Sequence, residues 1–209
     1  MKRMMGIGVL AIVMAFGPSV EAGIPTDQLK GATDRVLKLV QDPELNKPEK
    51  ADERRKQIRA VANEIFDWQE TGKRALARHW QARTPAQREE FSALFADLVE
   101  RSYVGKIEAY SGERILYVSE TLDGDQATVK TKLATKSNTE IPIDYRMQKE
   151  GDRWRAYDVL IEGVSLVGNY RTQFNRIIQQ SGYDELVKKL KTKQEELVFE
   201  DAEKGKKKP

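Results

Sequence analysis

Cysteine is absent from all 209 residues, which excludes disulfides, thiolate nucleophiles, cysteine-held metals and S-acyl anchors. Histidine occurs once, at His79, and a single imidazole without a clustered carboxylate pattern does not make a metal site. Charge of one sign is lacking as well. The 36 basic residues nearly balance 33 acidic ones, and a net +3 is too even for the one-sided field of a nucleic-acid binder. No apolar run is long enough to cross a bilayer as a helix. The segment "TGKR" (71–74) has neither the upstream glycine nor the following Ser/Thr of a phosphate loop. Asp and Glu are abundant throughout, so no carboxylate pair stands out as a general acid and base.

The N-terminus is patterned for export. Lys2 and Arg3 precede an apolar stretch from Gly6 to Phe16, Pro18 breaks it, and Val20-Glu21-Ala22 satisfies the small-residue rule for cleavage. Residues 1–22 therefore read as a signal peptide and 23–198 as one domain. Residues 199–209, ending in "EKGKKKP", read as a basic, solvated, disordered tail.

Within the domain the hydrophobic period is first helical and then alternating. Leu29, Ala32, Val36, Leu39 and Val40 mark one helix, and Ile58, Val61, Ala62, Ile65 and Phe66 mark a second. A third is expected over 73–81. Thr84-Pro85-Ala86-Gln87 is a helix start with a capping box, and Phe91, Leu94, Phe95, Leu98, Val99, Tyr103 and Ile107 continue that helix on one face. After Gly112 the period falls to two. Strands are expected over 114–122, 126–134, 140–148 and 153–162, with turns at Asp123-Gly124, Ser137-Asn138 and Glu150-Gly151. Pro142 has no amide donor, so its strand is an edge or its amide points out of the ladder. A helix carrying Leu166 to Ile178 follows, then a last one from Asp184. Segregation of this kind predicts an α+β fold: N-terminal helices packed on a curved antiparallel four-stranded sheet, with C-terminal helices.

The stretch "GVSLVG" (163–168) is one residue away from the G-x-S-x-G nucleophile elbow. That elbow needs its acid and histidine after the serine in a mostly parallel fold, whereas His79 comes before Ser165 and the strands read as antiparallel. Ser165 is assigned instead as the cap of the helix that begins at Leu166. Nothing in the residues themselves points to an enzyme.

Three segments carry a family resemblance: "FDWQETGKRALARHWQARTPAQREEFSALF" (66–95), "YRMQKEGDRWRAYDVLIEGVSLVGNYRTQF" (145–174) and "SGYDELVKKL" (181–190). Its most specific marks are Tyr145-Arg146, Trp154, Tyr157-Asp158-Val159, Glu162 to Leu166, Tyr170-Arg171 and Gln173-Phe174. Together they resemble the MlaC-like periplasmic lipid-binding proteins, also called the toluene-tolerance auxiliary component family, from about Ile58 to Leu190. The Lys-rich tail and the basic "KRALARHW" segment depart from that pattern.

The resemblance implies a monomeric periplasmic carrier without cofactor or metal, holding a phospholipid in an apolar pocket between sheet and helices. Its implied partners are an inner-membrane MCE-type protein of an ABC transporter and an outer-membrane lipoprotein-porin complex. The result would be support of outer-membrane lipid asymmetry. Combined with the alternation, it picks as tail-facing residues Val129, Leu133, Ile143, Tyr145 and Trp154 on the strands. On the helices it picks Leu98, Tyr103, Ile107, Leu166, Val167, Tyr170 and Phe174. A hopanoid-associated carrier of the same family, a periplasmic enzyme on a similar cone-shaped α+β fold and a non-lipid scaffold are the competing readings.

Overall fold

A computed structural model describes residues 24–192; the expected signal segment and the basic tail lie outside the described residues. Four helices come first: α1 (Ile24–Gln41), α2 (Ala51–Ile65), α3 (Trp68–Leu76) and α4 (Pro85–Glu108). The strands β1 (Arg114–Asp123), β2 (Gln126–Ala134), β3 (Glu140–Glu150), β4 (Arg153–Ile161) and β5 (Val164–Ser165) follow, and then α5 (Leu166–Ser181) and α6 (Tyr183–Lys191). The sheet is an antiparallel meander in the order β1-β2-β3-β4-β5. Bulges between Tyr117 and Ser119 and between Arg146 and Met147 add local twist, which curls it.

Local signals set several boundaries. At α4 the capping box is complete: Gln87 N donates to Thr84 Oγ1 (3.2 Å) and Thr84 N to Gln87 Oε1 (3.0 Å). The third helix differs from its expected range. Asp67 accepts from Glu70 N at 2.9 Å and starts the helix at Trp68, and Ala77 at φ 46° ends it before a 3-10 turn over Ala77–His79. The sheet has five strands rather than four. Glu162 (φ 51°) and Gly163 (φ 80°) reverse the chain tightly enough for Val164 to pair with Ile161 and Ser165 with Leu160. Pro142 lies within an interior strand, but one residue before the β3–β4 ladder begins at Ile143 and Ile161. Its carbonyl accepts from Glu162 N (2.9 Å), so its missing amide falls beyond the last rung.

Two cores result. The helical core joins Ala75, Leu76, Trp80, Phe91, Phe95, Tyr170, Phe174, Leu186 and their neighbours from α3 to α6. Its centre is aromatic, with the rings of Phe95 and Tyr170 5.1 Å apart and edge-on. The sheet core packs Leu29, Ala32, Val61 and Ile65 of α1 and α2 on Ala127, Val129, Met147, Trp154 and Ala156. Thr26 ties α1 to the sheet, its Oγ1 and N donating to Glu120 Oε2 at 2.6 and 2.8 Å. Among the described residues, no helix is long and apolar enough to cross a membrane.

Candidate functional site

Alternation along β2 and β3 puts Val129, Thr131 and Leu133 on one face with Tyr145, Ile143 and Ile141, each paired across the ladder. At the Val129–Tyr145 end that face is covered by α1 and α2 and belongs to the sheet core. Towards the other end, Ile115, Leu133, Ile141, Ile143 and Ile161 are half-buried and belong to neither core. Thr131, buried among them, spends its hydroxyl on Ile143 O (2.6 Å) and so offers only its methyl to this surface. An apolar surface that is neither packed nor fully wet is the feature a hydrocarbon ligand needs.

Helix α4 contributes the second wall. Its first half is anchored by Phe91, Phe95 and Leu98, but from Val99 onward no side chain is fully buried. Tyr103, Val104 and Ile107 are half-buried along this second half, as is Tyr110 just beyond its end. Ion pairs fix it to α2: Arg54 Nη2 to Glu108 Oε1 (2.7 Å), Arg55 Nη2 to Glu108 Oε2 (3.0 Å), and Arg59 to Asp97 (2.7 Å) and Glu100. Beneath them an apolar cavity of about 120 Å3 opens between α2 and α4, lined by Ile58, Phe66, Trp68, Val99, Val104, Ile107 and their neighbours. Burial pushes the hydroxyls of Tyr103 and Tyr145 up to about 12, so both phenols sit in poorly hydrated surroundings and stay neutral.

The twelve residues chosen from the sequence fall into three groups. Leu98, Val167, Tyr170 and Phe174 are buried in the helical core, with Leu166 half-buried against it. Val129 and Trp154 are buried in the sheet core, with Tyr145 at its margin. Tyr103, Ile107, Leu133 and Ile143 are half-buried outside both, and these have surface to offer a ligand. Ile58, Phe66, Trp68, Val99 and Val104 line this cavity without being marked as ligand-facing by the sequence pattern. The stripe over 58–66 reads as ordinary core, and nothing local shows that α4 stands off from it.

Ser165 is occupied structurally. Its Oγ accepts from Gly168 N (2.8 Å) and donates to Asp158 Oδ2 (2.7 Å), while Asp158 Oδ1 accepts from Val167 N (3.1 Å). A buried carboxylate and a serine thus share the N-terminus of α5, where the helix dipole favours negative charge. His79 Nε2 lies 3.0 Å from Asn175 Oδ1, which ties the 3-10 turn to α5.

The profile of the MlaC protein family matches residues 30–192. The intermembrane phospholipid transport system binding protein MlaC of Haemophilus influenzae is 26% identical over 124 residues, 57% of this chain and 58% of that protein. The chain thus spans less than two thirds of that relative's length. Toluene tolerance protein ttg2D of Pseudomonas putida is 22% identical over 180 residues, 85% of this chain and 84% of its own. In fold the chain is similar to a phospholipid-binding protein from Ralstonia solanacearum, solved with a phospholipid bound. The TM-score is 0.73 at 24% identity, covering 85% of this chain and 100% of that one.

Proposed function

We propose, from the premise that this chain belongs to the MlaC protein family, that it is an exported carrier holding phospholipid acyl chains against the half-buried apolar surface of its sheet. The single observation that carries the reading is that surface itself. Leu133, Ile143 and Ile161 on the sheet and Tyr103 and Ile107 on α4 are large, apolar and packed into neither core. An acyl chain of about 15 methylenes costs on the order of 12 kcal/mol to expose to water, so a lipid crossing an aqueous compartment needs such a sleeve. Relatives named for phospholipid transport and toluene tolerance support the same class. Ser165, Asp158 and His79 are engaged in capping and packing contacts, and the proposal gives none of them a catalytic step.

In this reading the carrier loads and unloads at membrane complexes, an MCE-type protein of an inner-membrane ABC transporter and an outer-membrane lipoprotein-porin complex. A receiver must offer comparable burial or remodel the carrier, because a gross term of that size is not released spontaneously. Export by cleavage after Ala22 belongs to the same proposal, and the intact mass of protein from its native host should match a chain beginning at Gly23.

The deciding experiment is solvent extraction of the purified protein followed by mass spectrometry. Phospholipid in stoichiometric amount is expected, and its loss in Ile143→Asp with unchanged circular dichroism places it on the sheet. Protein that repeatedly yields no lipid when purified without detergent, and takes up none from phospholipid vesicles, overturns the proposal.

A further inference from the structure

Two ion-pair clasps, rather than a packed apolar seam, hold the second half of α4 to α2. Arg59 meets Asp97 and Glu100, and Arg54 and Arg55 both meet Glu108. From Glu100 to Glu108 is on the order of 12 Å along a helix that rises about 1.5 Å per residue. Val104 and Ile107 lie between the clasps and line the apolar cavity of about 120 Å3. Ile107 also belongs to the surface assigned above to acyl chains, so cavity and sleeve meet at that residue.

The helix is weakest where its anchored half gives way to its clasped half. Ser102 Oγ donates to Leu98 O at 2.9 Å, a back-bond of the kind that loosens and bends helices. Gly105 follows in the helix interior, where glycine is less favourable than alanine. A Cβ at Gly105 would meet nothing within 4 Å, so packing does not require glycine there. The clasps are also built to part from one side. Arg54 keeps Nη1 on Leu45 O (2.7 Å) and Asn46 Oδ1 (3.2 Å), so it stays with α2 when Glu108 leaves. Arg55, Arg59 and Asp97 are each more than a third exposed, so water takes up their charges as the pairs open.

We propose that the second half of α4 is a gate for acyl chains. It swings from the Ser102–Gly105 junction, parts the clasps from α2 and opens the gap between the two helices to the sleeve. Parting a packed apolar seam would expose hydrocarbon to water. Parting ion pairs instead returns hydration to the charges, and the entering chain covers the apolar walls. The gate rests on the carrier reading and adds to it the route by which the tails enter.

The test measures the initial rate at which the protein takes up a fluorescent phospholipid from vesicles of phosphatidylethanolamine and phosphatidylglycerol. Gly105→Ala has room for its methyl, and should slow uptake about fivefold while raising the melting temperature. Arg59→Gln releases one clasp and should speed uptake about threefold. The chain has no native cysteine, so Arg55→Cys with Glu108→Cys carries the only two thiols. Uptake should exceed the parent rate in the dithiol form, fall below it once a reducible bis-maleimide joins the two, and recover on reduction. The same cross-link across Arg35→Cys and Glu64→Cys joins α1 to α2 and should leave the rate unchanged. Uptake at the parent rate with α2 and α4 cross-linked overturns the gate, while lipid extracted from that protein keeps the carrier reading. Equal slowing by the α1–α2 cross-link also overturns the gate. Absence of lipid and of uptake in every form, the parent included, overturns the carrier reading and the gate with it.

Discussion

Two residues with similar apolar character are expected to respond in opposite ways to the same substitution. Val167 is buried in the helical core, so Val167→Asp places an unpaired charge among packed rings and should abolish cooperative folding, read as loss of the thermal transition. Ile143 is half-buried outside both cores, so Ile143→Asp should fold yet lose lipid. The cap on α5 gives a second contrast. Ser165→Ala removes one acceptor from Gly168 N and one donor to Asp158, and should cost about 0.5–2 kcal/mol in denaturant unfolding. Because Ser165 and Asp158 share a contact, Ser165→Ala and Asp158→Asn should be non-additive in a double-mutant cycle. Additive effects would mean that the two act on the helix independently.

Among the elements, α4 is divided in its support. Its first half rests on aromatic packing, whereas its second half is joined to α2 by guanidinium–carboxylate pairs over an apolar gap. Glu108 receives both Arg54 and Arg55, and the Arg54 side chain is only 12% exposed. Glu108→Ala should therefore destabilise by about 1–3 kcal/mol, because a covered guanidinium keeps Leu45 O and Asn46 Oδ1 on Nη1 but loses the acceptor of its Nε and Nη2. Hydrogen exchange should localise the loosening to the second half of α4. The same contact has a pH signature. Hydrogen bonding to Arg55, helped by Arg54, holds the Glu108 carboxyl below its ordinary 4.5. A depressed folded value means that the unfolded chain takes up the proton first. The stabilisation is thus complete above about 4.5 and is lost as pH falls through the folded value. Parent and Glu108→Gln unfolding curves should converge as pH falls below that point.

At the scale of the whole molecule, alkaline pH probes the poorly hydrated interior. Tyr103 and Tyr145 are pushed up to about 12 by burial, while the same phenols titrate near 10 in an unfolded chain. The unfolded state loses its protons first as pH rises. The stability these groups contribute is therefore full below about 10 and drains away between 10 and about 12. Unfolding midpoints at about pH 9 and about pH 11 should differ, and Tyr145→Phe should narrow the difference. Bound lipid should raise the midpoint at either pH, since a ligand that prefers the folded state stabilises it by mass action.

The amino-acid sequence by itself determined most of the elements, but not the span of α3 or the two-residue strand β5. Thr84 with Gln87, Ser165, and the turns at Asp123-Gly124 and Glu150-Gly151 act over a few residues. Period three-to-four and period two separate helix from strand without distant information. It also specified which strand faces are apolar, since Val129 and Tyr145 alternate with Thr128 and Arg146 along their own strands. The tertiary structure alone decided which apolar residues are core and which line open surface. Val167 and Leu133 look equally apolar in sequence, yet one lies inside four packed helices and the other on the uncovered part of a curled sheet. It alone joined Asp158 to the α5 cap and set α4 off from α2. These depend on where helices far apart in sequence come to rest on the sheet, and burial against such neighbours leaves no periodic trace in the strand or helix that receives it.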